Sequence, residues 1–235
     1  MTILLNKIFI GLPKVVGTKN AVHPMDREWE SAIFKDPVDK AVWVGKLKLD
    51  GDGQADLKNH GGLEKAVFTY PSEHYTYWQQ EHGLTDMKQG GMGENFSTLH
   101  VTEENISIGD TFEIGGAIIQ VSQPRQPCWK PARRFKVKNL ALLIQDTGRT
   151  GWYYRVLQEG LVEAGQTFKL VERPSPEWTI KECNNVMHVE KKDMDKAEKL
   201  AKCEWLAINW QTTLLNRVEK GEHPVLSKRV IGPNA

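Results

Sequence analysis

The sequence predicts a mainly β fold, a barrel or sandwich with few helices, ending in a small three-helix module. Three observations carry this. Short apolar segments recur through residues 1–175 between Gly, Asn and Asp punctuation, many β-branched or alternating as half-buried strands are. Gly115-Gly116 separates Phe112-Glu113-Ile114 from Ala117-Ile118-Ile119-Gln120-Val121, a strong two-residue hairpin signal. After Pro174-Ser175-Pro176 the apolar spacing becomes helical.

Taken in order, strands are expected over 2–10, 41–49, 66–70, 105–108, 111–114, 117–122 and 167–171. The first lacks the basic-then-apolar order of a signal peptide and is read as a strand. One helix interrupts them, opened by Ser72, running to Glu81 and stopped by Gly83. Beyond the Pro-Ser-Pro linker, Thr179-Ile180-Lys181-Glu182 fits a capping box that opens a first short helix. Asp193 caps a second, with Met194, Ala197, Leu200 and Ala201 on one face. A third spans about 204–219 and buries Leu206, Trp210, Leu214 and Val218. Trp205 and Trp210 suit a homodimer surface as readily as a core. The charged run 190–202 reads as a solvated face. The organisation is therefore a barrel domain over 1–175, a helical module over 176–225 and a loosely held tail over 226–235.

Composition narrows the function. At 235 residues, 40% apolar and 26% charged, the chain has the make-up of a globular protein. Lys and Arg number 31 against 30 Asp and Glu, which argues against a surface that coats nucleic acid or membrane. No apolar run approaches the roughly 20 residues of a membrane span. Cys128, Cys183 and Cys203 form no CxxC pair and no disulfide framework, so a reduced, cytoplasmic protein is expected. Neither GxxxxGK[ST] nor a helix-opening GxGxxG occurs, so ATP and NAD lack support.

The near-zero sum hides one segment. From Ile114 to Gln145 there is no acidic residue, while Arg125, Lys130, Arg133, Arg134, Lys136 and Lys138 lie within it. Facing one side, they would form an anion trap. At its centre Pro124-Arg125-Gln126-Pro127-Cys128-Trp129-Lys130-Pro131 reads as a proline-stiffened loop carrying one cysteine. Adjacent cations favour the thiolate, which is a nucleophile or a soft metal ligand. A lone cysteine is otherwise a small buried hydrophobe, the reading that suits Cys183 and Cys203 on their helices. Two Gly-rich clusters add polar groups. One is Gly51-Asp52-Gly53-Gln54-Ala55-Asp56 with His60-Gly61-Gly62; the other is Gly93-Glu94-Asn95. Either shapes a ligand site or is a plain connection.

In sequence order these stretches resemble the MOSC domain, named for the C-terminal domain of molybdenum cofactor sulfurase, and within it the YiiM-like branch. Tyr70-Pro71-Ser72-Glu73-His74-Tyr75, Ile108-Gly109-Asp110, Val121 to Cys128 and Thr147-Gly148-Arg149-Thr150-Gly151-Trp152-Tyr153-Tyr154-Arg155-Val156 continue the match, and the three C-terminal helices resemble the module that follows the domain there. The resemblance implies a MOSC-type β-barrel that binds the molybdenum cofactor (molybdopterin), with Cys128 as protein ligand to the metal. It places His60, Arg125, Lys130, Asn95 and Arg155 around the cofactor or substrate, with His60 as a proton donor. The implied activity is reduction of N-hydroxylated bases such as 6-hydroxylaminopurine. No flavin or iron–sulfur motif is visible, so a separate reductase would supply electrons. Other readings use the same residues: a non-catalytic cofactor carrier or sulfur relay through Cys128, or a nucleic-acid-binding barrel with Trp129 and Phe135 as platforms.

Overall fold

The computed structural model describes residues 2–222 and 225–234. Its strands are β1 (Ile3–Ile10), β2 (Lys14–Val16), β3 (Trp29–Ser31), β4 (Asp36–Val38), β5 (Val42–Val44) and β6 (Val67–Pro71). There follow β7 (Phe96–Leu99), β8 (Thr111–Ile114), β9 (Ala117–Pro124), β10 (Trp152–Gln158), β11 (Gly160–Val162) and β12 (Thr167–Glu172). Seven of them close a barrel in the order β12-β8-β9-β10-β6-β7-β1, with β1 returning to β12 through Ile3↔Phe168 and Leu4↔Thr167. The β6–β7 pair is parallel and the other barrel pairs are antiparallel. β4 adds to the far end of β1, while β5–β11 and β2–β3 form separate ribbons.

The helices are α1 (Leu57–His60), α2 (Glu73–His82), α3 (Trp129–Phe135) and α4 (Leu140–Asp146), then α5 (Ile180–Asn184), α6 (Met194–Ala201), α7 (Ile208–Lys220) and α8 (Leu226–Val230). The Gly115-Gly116 hairpin forms as expected, with Ile114 opposite Ala117. Thr179 and Asp193 accept the Glu182 and Lys196 amide N–H groups at 3.1 and 2.9 Å, so both expected caps are made. Ser72 instead shares a hydrogen bond with Ser97 at 2.8 Å, so α2 opens without a side-chain cap.

Several expectations change. Residues 105–108 are a turn, because Asp110 accepts the Ser107 N–H at 2.9 Å and only a Ser107–Thr179 bridge forms. The strand expected over 41–49 shrinks to Val42–Val44. The third C-terminal helix starts at Ile208 because Gln211 ties down the Cys203 and Leu206 carbonyls as a preceding turn. The described part of the tail, 226–234, is folded rather than loose, and Ala235 lies outside the described residues: α8 and a 3₁₀ turn, Gly232–Asn234, pack back on the segment of α3 and α4.

The barrel interior holds Leu5, Ile8, Phe96, Phe112, Trp152 and Tyr154. The same apolar cluster continues through Ile180, Cys183, Leu200, Leu206, Trp210 and Leu214, so the module shares the barrel's core. Trp210 is fully buried there, and the half-buried Trp205 packs against the same cluster beside Gly109. A second cluster on the barrel's outside joins Tyr70, Tyr75 and Trp78 to Ala132, Leu140 and Ile144. It fixes α3 and α4 against β6, and thereby the segment that carries Cys128. Close packing also sets a limit near β11: a β-carbon on Gly160 would overlap the Gly116 carbonyl. Gly160→Ala is expected to cost about 1–3 kcal/mol in denaturant unfolding.

Candidate functional site

β9 delivers the chain to the site. At its end the Arg125 N–H donates to the Gly151 carbonyl at 3.0 Å, tying the exit to the start of β10. Pro131, expected to keep the segment a loop, lies in the first turn of α3. A missing N–H costs nothing there, because first-turn amides have no intrahelical partner. The expected loop is thus shorter, and Cys128 is the residue that caps α3.

Cys128 is half-buried and free. Its Sγ lies 3.6 Å from Nε2 of His60, the last residue of α1. Asp56 starts that helix by accepting the Asn59 N–H at 3.1 Å, and its Oδ2 stands 3.7 Å from His60 Nδ1. Burial works against a charged sulfur. The His60 hydrogen bond and charge, the Arg125 charge and the Lys130 N–H outweigh it and hold the thiol at about 6, down from an ordinary 9.0. Because this pKa is depressed, the thiolate dominates above about pH 6 and is lost as pH falls through that value. Alkylation of cofactor-free protein should therefore level off above neutrality, and His60→Ala should move its midpoint upward. An unshifted midpoint in that variant would contradict the pairing.

Two cavities meet at this sulfur. One of about 580 Å³ runs past His60, Arg125, Phe68 and Tyr153 to Lys35 and Asp52. The other, about 1050 Å³ with its open mouth, shares Cys128, His60, Lys65, Lys130 and Tyr153 and extends to Gln123 and Arg229. Arg125 lies over the Phe68 ring, 5.0 Å from its centroid. Burial raises the Tyr153 hydroxyl to about 12, so it stays a neutral donor. Three buried polar atoms on these walls have no hydrogen-bond partner among the described residues: Arg125 Nη1, Gln123 Oε1 and His60 Nδ1. Buried groups left so are expensive, and a bound water, ion or ligand satisfies them.

Of the six cations expected to converge, only Arg125 and Lys130 line the cavities. The turn of α3 carries Arg133 to Asn234 and the Pro24 carbonyl, and Arg134 to the Gly90 carbonyl. Lys136 pairs with Asp26, and Lys138 is exposed. In their place the fold brings Lys35 and Lys65 to the walls, and neither carries a local motif. Asn95 reaches the cavity, yet its amide is spent on the Phe68 N–H (3.1 Å), Asp52 (2.9 Å) and the Phe9 carbonyl (3.3 Å). Glu94 turns inward to Tyr75 and the Gly90 N–H. Arg155 is a correction: it faces away from both cavities and clamps Glu64, Gln120 and the Trp205 carbonyl at 2.6–2.8 Å. Trp129 is half-buried, with Arg133 4.8 Å from its ring centre and Gly232 against the indole, and it lines the larger cavity.

A closed barrel with a cation-flanked thiolate at the junction of two cavities defines a class, and comparison with known proteins identifies it. The MOSC domain model matches residues 56–169, and that of the YiiM-like, 3-alpha helix domain matches 178–221. Escherichia coli Protein YiiM is 38% identical over 204 residues, 86% of this chain and 91% of that one. The solved structure of YiiM from Geobacillus stearothermophilus superposes with a TM-score of 0.76 at 34% identity, covering 92% of this chain and 99% of its own. A protein of Gibberella moniliformis named "Reductase" is 39% identical over 158 residues, 65% of this chain but 28% of its own. The chain belongs to the MOSC-domain family, in its YiiM-like branch with the three-helix module. Among the described residues no helix is long and apolar enough to cross a membrane, and no cluster of three His, Cys, Asp or Glu forms a metal cage.

Proposed function

We propose that this protein binds the molybdenum cofactor in its cleft through Cys128 and reduces N-hydroxylated bases and related compounds with electrons from a separate reductase. The observation that carries this reading is the depressed thiol beside an unpartnered, buried Arg125 N–H. The donor set fits the group. A thiolate suits a soft metal, while Arg125 and Lys130 suit a phosphate or an anionic metal centre. Gln123 Oε1 would accept from an N–H of the ligand. When bound, the cofactor would supply the two electrons that cleave the N–O bond, the oxygen leaving as water once two protons are delivered.

The chain's own share is binding and protons. His60, whose Nε2 lies 3.6 Å from the sulfur, would pass a proton to the departing oxygen. Phe68 and the buried Tyr153 limit water on one wall. The second cavity favours turnover over a carrier role, since a carrier needs room for the cofactor alone. The fungal relative's name supports a reductase, and most of its length lies outside the shared part, in keeping with an electron source distinct from the barrel. The test is turnover of 6-hydroxylaminopurine to adenine by molybdenum-loaded protein with a reductase. Absence of product despite full metal loading and a competent donor would overturn the catalytic reading.

A further inference from the structure

The chain beyond the three-helix module lies outside both matched family units, yet it returns to the site. Arg229 of α8 donates from Nη1 to the Pro127 carbonyl and from Nη2 to Gln145 Oε1. Asn234 donates from Nδ2 to the Trp129 carbonyl at 3.1 Å, and its Oδ1 accepts from Arg133 Nε at 2.8 Å. Gly232 lies flat on the Trp129 indole at φ +52°, where any β-carbon would overlap the ring. These contacts grip the residues immediately before and after Cys128. They are built contacts: Asn234 is 3% exposed and Val230 7%. Val225, Lys228 and Arg229 also form one wall of the larger cavity.

We infer that residues 225–234 are a strap that positions Cys128, with Arg229 as its main positioning residue. A terminal segment orders only where its contacts repay about 1–2 kcal/mol of backbone entropy per residue. Here the contacts fall on the two carbonyls flanking the sulfur. The Pro127 carbonyl precedes the helix and takes no ladder bond, while the Trp129 carbonyl, an acceptor within α3, gains Asn234 as a second donor, so the strap fixes the chain on both sides of Cys128. It does so from 102 residues further along the chain. The consequence for metal retention rests on the cofactor reading; the consequence for the segment's rigidity does not.

The test uses full-length Arg229→Ala, Arg229→Lys, Asn234→Ala and Gly232→Leu. Lys228→Ala serves for comparison, since it changes the same cavity wall without touching the Cys128 segment. In cofactor-free protein, Arg229→Ala and Gly232→Leu should each speed hydrogen exchange at the Ala132 and Arg133 amides, the first to bond within α3, by roughly tenfold, with β9 and β10 unchanged. Arg229→Lys should restore part of the protection, and Lys228→Ala should leave it intact. Should Arg229→Ala fail to fold, Asn234→Ala, which removes one contact, reads the same amides. Molybdenum-loaded Arg229→Ala should lose its metal about 10–100 times more readily, as when the partners of a metal ligand are removed. Unchanged exchange in Arg229→Ala and Gly232→Leu would overturn the strap, and so would a uniform rise across the barrel. If the unaltered protein retains no molybdenum, the cofactor reading fails while the exchange result still decides the strap.

Discussion

Cys128→Ser is expected to retain the fold and to lose molybdenum and N-reduction together, with turnover down by two orders of magnitude or more, roughly. The reason lies in what the position asks of the atom. The fold supplies His60, Arg125 and the Lys130 N–H to keep a sulfur charged near neutrality. A serine hydroxyl there stays protonated and presents a hard oxygen, which those groups cannot convert into a soft anionic ligand. Stability should hardly change, because Cys128 occupies the cap of α3 and serine is a preferred residue at such a position. Denaturant unfolding within about 0.5 kcal/mol of the parent, combined with loss of metal, would separate the chemical role from a structural one. Retained metal and activity in that variant would sink the assignment of Cys128.

Asp52→Ala should produce the largest loss of stability at the site, about 3–5 kcal/mol. Asp52 is 1% exposed and serves three partners. Its Oδ1 accepts the Gly11 N–H at 2.9 Å and the Lys35 ammonium, and its Oδ2 accepts from Asn95 at 2.9 Å. Lys35 is itself enclosed. Burial pushes its ionisation down, and the Asp52 charge is the chief counterweight. Removing the carboxylate leaves a buried ammonium unpaired and frees the amide that holds Phe9 to Phe68. The deficit should narrow as the pH is raised, because a lysine with a lowered pKa binds fewer protons folded than unfolded, so stability grows with pH. Asp52→Asn keeps an acceptor and the volume and should cost less. A loss below about 1 kcal/mol in Asp52→Ala would mean that Lys35 reaches water instead.

The residues that announced themselves in the sequence share a local signal. The Gly115-Gly116 hairpin, the Thr179 and Asp193 caps and the alternation in β1, β8, β9 and β12 depend on neighbours in the chain, so they are legible there. β7 is not, since Phe-Ser-Thr-Leu is short, half polar and paired in parallel with β6 from a distance. α4 is a brief apolar run with no cap, a pattern that serves strand or helix equally. The site divides the same way. Cys128, His60 and Arg125 stand inside ordered motifs, and the fold brings all three to one cleft. Lys35, Lys65 and Arg229 carry no pattern, and only the closure of the barrel and the return of the tail bring them to it; Gln123 stands inside the Val121–Cys128 stretch, where a neutral amide gives no chemical signal of its own. Arg133 and Arg134 mislead for a related reason: charge density along the chain says nothing about which carbonyl each side chain meets in three dimensions; Arg155, placed by the resemblance alone, meets Glu64 and Gln120 instead.

The central claim is that this cleft holds the molybdenum cofactor through Cys128. Its most direct test is metal and pterin analysis of the unaltered protein, purified from a host that makes the cofactor, beside Cys128→Ser prepared identically. The account predicts near-stoichiometric molybdenum and pterin in the former and neither in the latter. Folded, unaltered protein free of both, or equal amounts in the two proteins, would contradict it.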